Sequence, residues 1–152
     1  MFSAEVRAYE RLSPLQGHAI PIMYGHYHLE FPERELRRDS IVYVTLLEYI
    51  PGPCLRDVSI SKMTKDEAQL LWKKISKSIK SLHDEGVIQK FPALRKIIWR
   101  NKDTEEDEIV FTDFSWAITL EDKDRETSTL PRLELTILHG YVKGAIKGRM
   151  YE

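Results

Sequence analysis

Between Thr64 and Gly86 the chain carries its longest uninterrupted pattern. Ala68, Leu71, Ile75, Ile79 and Leu82 recur every three or four residues, one apolar stripe along about four turns of helix. Thr64 and Glu67 stand at capping-box spacing before it, and Gly86 stands where a helix ends in a left-handed residue. Such a helix buries one face and solvates the other, so the rest of the chain must supply apolar cover. Lys65, Lys73, Lys77 and Lys80 fall off the stripe and read as its solvated face, with no nucleic-acid patch implied.

The cover comes from short elements on both sides. Upstream, Val6, Tyr9 and Leu12 sit at helical spacing from Ser3 to Leu12, and Pro14 with Gly17 closes that segment. Residues Ile20 to Phe31 and Ile41 to Ile50 read as two antiparallel strands, the second a central one, joined by an exposed turn from Glu33 to Ser40. Pro51, Gly52 and Pro53 then stop the ladder. Downstream, Ile97 to Trp99 and Ile109 to Phe111 read as a hairpin around Asp103 to Glu108, an acidic run expected only to solubilise. Glu121 to Thr129 reads as a loop. Pro131 opens a last helix with Leu138, Tyr141, Val142 and Ala145 inward. The pattern gives an α+β fold in one domain, as 152 residues with 42% hydrophobic content also suggest.

Composition narrows the partners. The 23 basic residues nearly balance the 24 acidic ones, which removes the net field that nucleic acid or an anionic membrane would require. One cysteine, Cys54, excludes an intrachain disulfide framework, and its ordinary role is that of a small buried hydrophobe. Charges at Glu5, Arg7 and Glu10 interrupt any signal-peptide core, and no apolar run reaches spanning length, so an intracellular, cytoplasmic chain is expected. His26, His28 and Glu30 alternate on the first strand and would project from one face, a minor candidate for metal. Gly140, Gly144 and Gly148, four apart, permit a close helix approach.

Two stretches carry a family resemblance. Leu47-Glu48-Tyr49-Ile50-Pro51-Gly52, the long helix, and Leu82-His83-Asp84-Glu85-Gly86-Val87-Ile88 follow one another as the hinge and large lobe do in small fungal protein-kinase-like proteins, a layout shared by aminoglycoside-phosphotransferase-like enzymes. Val110-Phe111-Thr112-Asp113-Phe114-Ser115-Trp116-Ala117 resembles the strand and metal-binding Asp-Phe-Gly motif, with serine in place of glycine. The resemblance spans roughly Glu5 to Ala117. It implies a partial kinase-like fold, with residues 1–50 as a small-lobe remnant and 51–152 as a shortened large lobe. It also implies a hinge at Glu48 and Ile50 whose backbone would meet an adenine, and a structural role for His83 near the helix end.

The same resemblance marks what is replaced. The base position of the catalytic loop falls on Phe91, which has no lone pair to take a proton, and the following metal-ligand position falls on Lys96, whose ammonium repels a divalent cation. Asp113 is left as the vestigial metal ligand, and Lys96 is the candidate to pair with it in the metal's place. Phe91 is expected in the core or filling the former cleft. Glu5 matches the glutamate that would pair with a phosphate-binding lysine, and without that lysine it is expected to be an ordinary surface residue. The resemblance therefore implies a non-catalytic, pseudokinase-like module with no cofactor. Such a module would act by binding a protein partner or by self-association through the exposed edge of the small sheet. The alternatives are an ATP-dependent phosphotransferase with an atypical site, which would use Mg-ATP, and a decayed or incomplete gene product.

Overall fold

The structure, a computed structural model, describes residues 2–30, 41–121, 124 and 128–146. Among these it is an α+β protein with three helices and three two-stranded antiparallel sheets. Helix α1 runs Phe2–Arg11 and buries Ala8 and Tyr9, with Leu12 just beyond its end. A 3-10 turn at Ser13–Leu15 follows, started by Pro14. Strands β1 (Met23–Glu30) and β2 (Ile41–Leu47) then pair, with a register shift between Met23 and Gly25. The turn expected from Glu33 to Ser40 lies outside the described residues.

Reading β2 as a central strand needs correction. Among the described residues it pairs with β1 alone, and Ile41, Val42, Tyr43 and Leu46 are exposed. An apolar run signals that a strand seeks cover, and here no other described strand supplies it.

The break at Pro51-Gly52-Pro53 is a packed crossing. The carbonyls of Pro51 and Pro53 accept hydrogen bonds from the amides of Asn101 and Trp99, at 3.0 and 2.9 Å. Gly52 has φ +144°, and a Cβ there would collide with the Trp99 carbonyl, so only glycine lets the two backbones approach this closely. Two 3-10 turns, Leu55–Asp57 and Ile60–Lys62, then place Leu55 and Ile60 in the core.

Helix α2 (Lys65–Asp84) forms as its pattern predicts. Thr64 Oγ1 accepts from the Glu67 amide while the Glu67 carboxylate accepts from the Thr64 amide, and the five stripe residues are buried. Lys65, Lys73, Lys77 and Lys80 are exposed. Gly86, at φ +77°, ends the helix with its amide bonded to the His83 carbonyl. Strand β3 (Val87–Ile88) pairs with β6 (Ile118–Thr119), and β4 (Ile97–Arg100) pairs with β5 (Glu108–Phe111) in the expected hairpin.

The acidic tip of that hairpin does more than solubilise. Asp107 accepts from Lys74 on α2 and, at 2.7 Å, from Trp99 Nε1. Burial works to raise its pKa, yet the bonds from Lys74 and Trp99 outweigh burial and hold the carboxyl below its ordinary value.

The last helix, α3 (Leu130–Ile146), packs Leu138 and Val142 into the core, with Tyr141 and Ala145 against its margin. Its glycines make no common stripe: Gly144 is buried, Gly140 has open space around it, and Gly148 lies outside the described residues. Of the loop expected from Glu121 to Thr129, residues 122–123 and 125–127 also lie outside them. Cys54 is half-buried, with its thiol 3.5 Å from the Leu94 carbonyl. Among the described residues no helix is long and apolar enough to cross a membrane.

Candidate functional site

The segment after β5 turns sharply because Asp113 takes a left-handed backbone, φ +61°, unusual outside glycine. The turn buries Phe114 completely, edge-on to Tyr9 of α1 with ring centroids 5.4 Å apart. It leaves the Asp113 carboxylate 44% exposed. Facing it, the loop after β3 contains a second left-handed residue, Lys90 at φ +72°. The fully buried Gln89 ties the two together, its Nε2 donating to the carbonyls of Thr112 and Asp113 at 2.5 and 3.2 Å. Two constrained backbones held side by side by one buried amide form a fixed polar corner.

Lys96 completes that corner. It ends a 3-10 turn, Leu94–Lys96, and its carbonyl accepts from the amide and hydroxyl of Thr112, which fixes the backbone beside Asp113. Its side chain is 5% exposed, and Nζ lies 3.0 Å from Asp113 Oδ2. The other oxygen, Oδ1, accepts from the Ser115 amide at 3.3 Å. Burial alone would raise the Asp113 pKa, but the bonds from Lys96 and Ser115, with the lysine's charge, overcome it and set the pKa below the usual carboxylate value. The ion pair considered from the sequence is therefore present in the fold.

Glu5 is not the ordinary surface glutamate expected of it. Burial, and next the charge of Asp113, raise its pKa, while the Phe114 amide and the Thr45 hydroxyl donate hydrogen bonds to it and His26 is close enough to oppose the rise. The sequence signal was its place one turn before Tyr9, on the side of α1 that packs inward. His26 is engaged on the same side, with Nδ1 2.9 Å from Thr45 Oγ1. His28 is exposed and the side chain of Glu30 lies outside the described residues, among which no three histidine, cysteine, aspartate or glutamate side chains gather as metal ligands would.

Phe91 departs from both alternatives that place it under cover. It is 53% exposed, edge-on to the half-exposed Trp116 at 6.2 Å, with Lys90 Nζ 5.3 Å from its ring. A core position would demand closed apolar walls, and this loop instead points its aromatic ring outward.

Glu48 and Ile50, the two residues expected to form a hinge, are tied into the fold. Glu48 donates its amide to the Ile22 carbonyl, accepts from the Ile22 amide at 3.0 Å, and pairs with Arg100 at 3.1 Å; the Ile50 side chain is buried. Arg100 also reaches the Gly17 carbonyl and Glu108. His83 pairs at 2.7 Å with Glu134 of α3, both almost fully buried. Glu134 was legible only as the position one turn before Leu138 on the inward stripe of α3.

No family model matches the chain, and no curated protein is significantly similar to it.

Proposed function

We propose that this chain is a pseudokinase-like module, a partial protein-kinase-like fold that acts by binding rather than by phosphoryl transfer. The observation that carries the reading is the 3.0 Å pair between the buried ammonium of Lys96 and Asp113. Divalent magnesium needs several oxygen ligands in near-octahedral array. At this corner the one carboxylate that faces solvent already neutralises a fixed cation, so the donor set does not fit magnesium, and the residues offer no route to holding a nucleotide's phosphates through it. Phe91, at the position of the base, cannot accept a proton.

What remains for such a module is a surface. The β1–β2 ribbon, with exposed tyrosine, leucine, isoleucine and valine, supports binding of a protein partner there. A second reading, an ATP-dependent phosphotransferase with an atypical site, is favoured by one feature: Asp113 stays partly open to solvent on a strained turn, as a residue kept for chemistry would.

Calorimetric titration with Mg-ATP, together with a phosphotransfer screen over protein and small-molecule acceptors, separates the two. The binding module shows no metal-dependent turnover. Turnover that depends on magnesium and disappears in Asp113→Asn would establish the phosphotransferase instead.

A further inference from the structure

We draw no further inference here: the strongest candidate, the exposed apolar surface of the β1–β2 ribbon, is an unpartnered face, and nothing among the described residues shows what covers it.

Discussion

Two carboxylates at the polar corner, Glu5 and Asp113, titrate in opposite senses because only one of them has a cation in contact. Asp113 is depressed despite burial by Lys96 and Ser115, so its stabilising contribution is present at neutral pH and is lost as pH falls through the folded value. Glu5 is raised from 4.5, by burial and then by Asp113, so its contribution is favourable below the unfolded value and is lost as pH rises through the folded one. Glu5→Gln keeps an oxygen for the Phe114 amide and the Thr45 hydroxyl but removes the charge. The variant should therefore melt higher than the parent at neutral pH, by roughly 1–3 °C for a chain of this size. The gain should vanish below about pH 4, where the parent's Glu5 is protonated in both states. Thermal melts of both proteins across that range check the sign, and a Glu5→Gln protein less stable at neutral pH would show that the carboxylate is wanted charged.

Elements with local signals were legible, and those that depend on distant partners were not. The capping box of α2, its stripe and Gly86 all act within a few residues, so sequence spacing was enough to place the helix. Nothing local marks the cross-connection between helices, where His83 at the end of α2 meets Glu134, 51 residues away, inside the core. Glu134 Oε1 is buried without a hydrogen-bond partner among the described residues, so this carboxylate depends on His83 for its compensation. His83→Ala should cost about 1–3 kcal/mol, since it leaves the buried Glu134 carboxyl without its hydrogen-bond partner. Replacing both residues by leucine should cost less than that single change, because the apolar pair needs no compensation. Urea unfolding of the two variants decides the order. A double variant less stable than His83→Ala would mean that the pair contributes net stability. The exposed β2 strand taught the converse lesson: an apolar run reports a need for cover, and whether the cover is in the same chain is not a local property.

At the scale of the whole molecule, one buried arginine joins three segments that are remote in sequence. Arg100 on β4 donates to the carbonyl of Gly17, 83 residues away, and pairs with Glu48 after β2 and Glu108 on β5. It thereby ties the α1–β1 connection and the end of the β1–β2 ribbon to the hairpin that packs on α2. Other bonds also hold the ribbon at its base, between Ile22 and Glu48 and between Gln16 and Met23, but among the described residues its sheet is two-stranded and largely exposed, and an isolated two-stranded sheet is marginal in water. Arg100→Leu preserves the apolar stem but leaves Glu48 and the Gly17 carbonyl without their donor, a loss of about 2–4 kcal/mol. The loss should be uneven. Amides of Tyr43 to Glu48 and of the β1 residues opposite them should exchange with deuterium at least about tenfold faster, because opening the ribbon no longer breaks these bonds, while amides around Leu71 to Ile79 should respond only to the global change. Equal acceleration in both places would mean that ribbon and helix open together, with Arg100 one core contact among many instead of the joint between them.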